Sequence, residues 1–192
     1  MGRLVLISAN NERLVTLDQA KKHCRCQNNL EDELFTGWIR SAEAYCQSYT
    51  SQAVLTSTWQ WIGSEFPVDD DGNDDFIDLG IGPVQSVNFI SYVDADGDDQ
   101  EMTEDEYQLD PQEIAPRIVP GIGQSWPATE DGNVSAVIVE FIAGYTSKDL
   151  CPAQFSQAML LIIGGWYKNR EDQSIPDAAN RLLDQVLSER YV

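Results

Sequence analysis

The spacing of apolar side chains changes twice along this 192-residue chain, and that double change restricts its possible folds more than any other feature. Between Glu31 and Tyr49, Leu34, Phe35, Trp38, Ile39, Ala42, Tyr45, Cys46 and Tyr49 recur at three and four positions, the pattern of a helix with a wide buried face. From Leu55 the interval drops to two. Leu55, Ser57, Trp59 and Trp61 alternate with Thr56, Thr58 and Gln60, and the β-branched and aromatic content predicts a strand. Further strands are expected at Phe76 to Leu79, Val84 to Val93, Glu101 to Glu106 or Tyr107 to Leu109, Ile118-Val119, and Val134 to Ile142. Turn signals separate them at Asp71-Gly72-Asn73, Gly82-Pro83, Asp96-Gly97, Pro120-Gly121 and Asp131-Gly132-Asn133.

The last strand turns at Gly144-Tyr145, and the chain returns to helix at Pro152, a residue suited to the first helical position because no amide hydrogen is needed there. That helix runs to Lys168 and is apolar nearly all round, with Gly164-Gly165 permitting close approach of another backbone. A last helix from Ile175 or Pro176 to Glu189 gathers Ala178, Leu182, Leu183, Val186 and Leu187 on one face. A short first helix, Leu17 to Arg25, is announced by the capping box Thr16 and Gln19. The pattern predicts an α+β fold of about four helices, with residues 1–54 and 148–192 as a helical core and residues 55–147 as an inserted antiparallel β domain.

Thirty-two Asp and Glu against twelve Lys and Arg give a formal net charge of -20, which repels duplex DNA and anionic membranes and excludes an ordinary nucleic-acid binder. Three readings remain: solvated surface, a cation-binding surface, or a wall past which a polyanion slides. The apolar run Leu4 to Ile7 is too short for a secretory signal, and Ala158 to Ile163 falls well short of the roughly 20 residues that span a bilayer, so a soluble protein made inside the cell is expected.

Chemistry is sparse in the sequence. His23, Cys24 and Cys26 resemble half a zinc site, but the spacing is wrong and no second pair follows; Cys24, Cys26, Cys46 and Cys151 read as reduced core or surface thiols. There is no nucleophile elbow or P-loop, and Gly121-Ile122-Gly123 lacks the rest of a dinucleotide fingerprint. The expectation is no enzyme, no cofactor and no metal. The acidic clusters Asp69 to Asp75 and Asp94 to Glu101 fail the calcium-loop spacing and read as hairpin loops in which Gly72 and Gly97 supply positive φ. Trp59, Trp61, Trp126 and Trp166 read as packing anchors rather than a sugar platform.

Thr16-Leu17-Asp18-Gln19-Ala20-Lys21, the acidic start Glu31-Asp32-Glu33, and Ala42-Glu43-Ala44-Tyr45-Cys46-Gln47-Ser48-Tyr49-Thr50 resemble the opening of the tailed-phage head-to-tail connector (adaptor) family. So do Gly82-Pro83-Val84-Gln85-Ser86-Val87, Tyr92-Val93-Asp94-Ala95-Asp96-Gly97, Tyr107-Gln108-Leu109-Asp110, Gln124-Ser125-Trp126-Pro127, Phe141-Ile142-Ala143-Gly144-Tyr145 and Trp166-Tyr167-Lys168-Asn169-Arg170-Glu171. Cys24 and Cys26 depart from the family, which usually shows aliphatic residues there. The resemblance implies a structural virion protein of the neck, present in the host cytoplasm during assembly. Such proteins form a ring, usually of twelve copies, beneath the portal protein and above a stopper or tail-completion protein, with DNA passing through unbound. Under that reading Leu182, Leu183, Val186, Leu187 and Tyr191 are expected to anchor the chain to the portal, and Glu31, Asp32 and Glu33 to face the channel. The competing readings are a β-sandwich module for calcium or carbohydrate, an acidic DNA mimic, and a small hydrolase.

Overall fold

A computed structural model describes residues 2–69, 71, 72, 75–111 and 116–188. Twelve elements occur among them: β1 (Arg3–Ala9), α1 (Leu17–Cys24), α2 (Asp32–Thr50), β2 (Ser57–Gly63), β3 (Ile77–Asp78), β4 (Val84–Val93), β5 (Asp99–Glu101), β6 (Tyr107–Asp110), β7 (Arg117–Pro120), β8 (Val137–Ala143), α3 (Ala153–Lys168) and α4 (Asp177–Ser188). The fold is α+β. They divide into two compact units, a sheet unit of Met1–Ala9 and Thr56–Gly144 and a helical unit of Asn10–Leu55 and Tyr145–Val192.

In the sheet unit five strands lie in the order β1-β2-β8-β4-β5, with every neighbouring pair antiparallel. A second sheet has the order β3-β7-β6. β8 shows why period two builds this core. Val137, Val139, Phe141 and Ala143 are fully buried, while Ile138, Glu140 and Ile142 point to the other face and are half-buried. Two bulges in β4, between Val84 and Ser86 and between Val87 and Phe89, bend its pairing with β8. Trp126 stacks on Phe66 with centroids 4.7 Å apart and donates its indole hydrogen to the Asp75 carbonyl, so its polar edge is satisfied on burial. Trp61 is buried against Gly2 and Gly63, where any Cβ would strike its ring.

The boundaries of the sheet correct one expectation. Residues 3–9 join the sheet as β1, pairing Arg3 with Ile62 through Ala9 with Ser57 and breaking register between Leu6 and Ser8. The N-terminal segment therefore does not belong with the helices. Its partner lies some fifty residues away, and its continuous apolar run carries no alternation to announce a strand.

In the helical unit the Thr16 hydroxyl accepts from the Gln19 amide at 3.2 Å, and the Gln19 side chain accepts from the Thr16 amide at 2.8 Å, so the capping box is formed. α2 buries Phe35, Trp38, Ile39, Ala42 and Cys46, a narrower stripe than its spacing predicts, with Leu34 and Tyr49 exposed and Tyr45 half-buried. α3 buries Phe155, Ala158, Met159, Ile162, Ile163 and Trp166, and α1, α2 and α4 all pack on it. Pro152 stands one position earlier than expected, as the N-cap rather than the first helical residue. α4 buries Ala179, Leu183 and Val186 at intervals of four and three, and the Tyr45 and Tyr49 hydroxyls of α2 donate to Asn180 and Asp184 at 2.7 Å each. The glycine pair admits side chains of its own unit: a Cβ on Gly164 would come within 2.9 Å of His23 Nε2, and one on Gly165 within 3.2 Å of Pro176 Cγ. No helix among the described residues is long and apolar enough to cross a membrane.

Candidate functional site

The helix α4 carries four of the five residues expected to grip a partner, and burial separates them. Leu183 is fully buried and Val186 is 3% exposed, both within the core shared with α2 and α3. A side chain already surrounded by its own protein has no apolar surface left to offer. Leu182 and Leu187 are half-buried on the flank of the helix and keep part of that surface. Tyr191 lies outside the described residues.

The acidic start of α2 separates in the same way. Glu31, the N-cap residue, pairs with Arg170 beyond the end of α3, and Asp32 pairs with Lys21 of α1. Both carboxylates are engaged within the unit. Glu33 is exposed on the first turn, where the positive end of the helix dipole favours it. The three adjacent acids are therefore unequal, a difference set by which cations the fold brings beside them.

The acidic loop after β4 is occupied by its own backbone. Asp94 Oδ1 accepts from the amides of Asp96 and Asp98 at 3.0 Å, Oδ2 accepts from the Gln100 side chain at 2.7 Å, and Gly97 takes φ +87°. These bonds, led by the one from Asp98, hold the Asp94 carboxyl below its ordinary range. The turn reading expected from the sequence holds here, and Gly72 of the earlier loop likewise has φ +81°. Asp70, Asn73 and Asp74 lie outside the described residues. Among the described residues no group of three or more His, Cys, Asp or Glu is placed to hold a metal ion.

Glu43 is the carboxylate whose surroundings favour protonation. Burial raises its pKa against the opposing pull of the Arg13 guanidinium 2.8 Å away, and Oε2 has no hydrogen-bond partner among the described residues. Its charge adds to burial at two neighbouring thiols: Cys46 and Cys151 are each pushed up to about 12. Burial also raises Cys24, which stays half-exposed. A thiol is nucleophilic only as the thiolate, so none of these environments makes a nucleophile at neutral pH. Alkylation of the folded protein by iodoacetamide at pH 7.5 is expected to leave Cys46 and Cys151 unmodified, with both labelling fully in urea. Peptide mass mapping that found either modified in the folded state would show the core to be open.

The site residues thus lie on flanks and ends of helices; Trp61, Trp126 and Trp166 are buried, and Trp59 is half-buried. Comparisons with known proteins give a family match and a shared fold. Residues 14–104 match the family of phage gp6-like head-tail connector proteins. No curated protein sequence matches the chain. Among solved structures, a chain from the neck of the empty GTA particle computed with C6 symmetry superposes with a TM-score of 0.78 at 22% identity, covering 95% of this chain and 94% of that one. A chain from the virion of the native gene transfer agent (GTA) particle gives 0.76 at 22%, covering 95% and 93%. One from the neck of the native GTA particle computed with C12 symmetry gives 0.72 at 22%, again covering 95% and 93%. At this identity the likeness is one of fold.

Proposed function

We propose that this chain, whose residues 14–104 match the family of phage gp6-like head-tail connector proteins, serves as a structural component of a virion neck. In this role it forms a ring of twelve copies beneath the portal protein, joins the portal to a stopper or tail-completion protein, and leaves a channel through which DNA passes. The family match carries the reading, and the resemblance of fold to chains in necks computed with C6 and C12 symmetry supports the ring. Such a ring needs a heterologous contact, one patch of each copy meeting a different patch of the next.

The helical unit is the connector core in this reading. Leu182 and Leu187, with Tyr191 beyond the described residues, dock on the portal, while Leu183 and Val186 hold α4 in place from within. Twelve copies at -20 each carry roughly -240, against a duplex with one charge per ~1.7 Å of axis, so the polyanion slides past without adhering. Glu33 is the member of its acidic trio free to face that channel. Leu182→Asp with Leu187→Asp is expected to weaken capture of the chain by immobilised portal about tenfold or more, with the helical circular dichroism retained. Unchanged capture by the folded double variant would remove α4 from the portal contact. A neck reconstruction with a basic lumen would remove the sliding-wall account.

A further inference from the structure

A hollow of about 640 Å³ lies at the C-terminal ends of α1 and α3. Leu161, Tyr167 and Pro176 give it an apolar floor, and His23, Arg25 and Lys168 surround that floor with no Asp or Glu in the lining. In a chain with 32 acids against 12 bases this is an unusual concentration of one sign. It is also uncommitted. Arg13, Lys21, Lys22, Arg117, Lys148 and Arg170 form the ion pairs of the described residues, and Arg25 and Lys168 stand outside them.

Two copies of charge -20 repel one another, so any stable contact between them must place opposite charges together at short range, within a Debye length of about 8 Å. The hollow fits an apolar side chain next to a carboxylate. Within the helical unit two loop leucines are well exposed, Leu30 at 93% and Leu150 at 65%. The acids after Leu30 are already engaged, Glu31 with Arg170 and Asp32 with Lys21, and they lie at the same end of α3 as the hollow. Leu150 follows Asp149, which is exposed and outside the ion pairs of the described residues, at the opposite end of α3. Sixteen residues at 1.5 Å each make that helix about 24 Å long, so the two features sit on different patches of one copy and pair only between copies. That is the heterologous arrangement a closed ring requires.

We propose that the hollow lined by His23, Arg25 and Lys168 receives the Asp149-Leu150 segment of a second copy of this chain, Leu150 on the apolar floor and Asp149 against the two cations. The inference rests on the ring reading and names the contact within it. A zero-length carbodiimide cross-linker joins a carboxylate to an amine only across direct contact, and mass spectrometry identifies the joined peptides. Applied to the purified protein over a range of concentrations and to assembled particles, it is expected to yield Asp149–Lys168 peptides in the dimer and higher bands. Lys168→Arg should erase that link and leave the oligomers. Arg25→Glu with Lys168→Glu should lower the oligomer fraction about tenfold at unchanged thermal midpoint, and adding Asp149→Lys to the pair should restore it. Linked oligomers that lack the Asp149–Lys168 peptide, or a folded charge-reversed variant that assembles normally, would overturn the docking and leave the ring standing. Absence of linked oligomers from both samples would bring down the ring reading as well.

Discussion

Phe35→Ala is expected to lower the unfolding free energy by about 3–5 kcal/mol, the range for removing a fully buried Phe from a packed core. Phe35 has no exposure, and its ring meets Trp38 edge-on at 5.4 Å and Tyr167 at 5.5 Å, so the change removes the joint between α2 and α3. Each aromatic contact of this kind adds about 0.5–1.5 kcal/mol beyond its buried area. Against a total stability of about 5–15 kcal/mol for a typical domain, the loss takes a large part of what holds the helical unit together. Urea unfolding should show a lower midpoint at unchanged slope. Leu6→Ala is the control, since Leu6 is 46% exposed on β1 and should cost well under 1 kcal/mol. A Phe35→Ala midpoint indistinguishable from that control would mean the aromatic cluster is not the joint described.

Truncation after Asn180 should have a still larger effect, and of a kind that changes how binding experiments are read. It removes Leu183 and Val186 from the core together with the Tyr49–Asp184 hydrogen bond. Two buried aliphatic side chains at about 2–5 kcal/mol each approach the whole stability of a domain. The truncated chain should therefore show reduced helical circular dichroism and no cooperative thermal transition in the helical unit. A truncated chain that failed to bind a portal would report unfolding as readily as a lost contact. A cooperative melt with full helical signal after truncation would show that α4 is dispensable to the core.

Much of this fold is legible residue by residue. β4 runs from Val84 to Val93 as expected, the Thr16 capping box opens α1, and five of the eight stripe positions of α2 (Phe35, Trp38, Ile39, Ala42 and Cys46) are buried, while Leu34 and Tyr49 at its edges are exposed and Tyr45 is half-buried. These features depend on neighbours within four or so positions, where backbone periodicity and capping chemistry act. β1 escaped because a short apolar run has no period of its own, and its identity as a strand comes from pairing with β2. α4 was readable as an amphipathic helix, yet the sequence pattern treats Ala178, Leu182, Leu183, Val186 and Leu187 as one face, and Ala178 is exposed. The core accepts only the narrower stripe of Ala179, Leu183 and Val186. Which flank stays accessible depends on how far α2 and α3 wrap around it, which local spacing does not encode.

The two periods of the chain, its turns and its caps determined by themselves that it is an α+β protein, that helices, then strands, then helices follow β1, and which family it resembles, because each of these is written in short-range pattern. The tertiary structure alone decided that residues 3–9 belong to the sheet, that Leu183 and Val186 face inward, and that Glu33 is exposed while Glu31 and Asp32 pair with Arg170 and Lys21. The reason is one of distance along the chain. Glu31 meets Arg170 across 139 positions and Tyr45 meets Asn180 across 135, and no local preference specifies a partner so remote until packing has brought the two together.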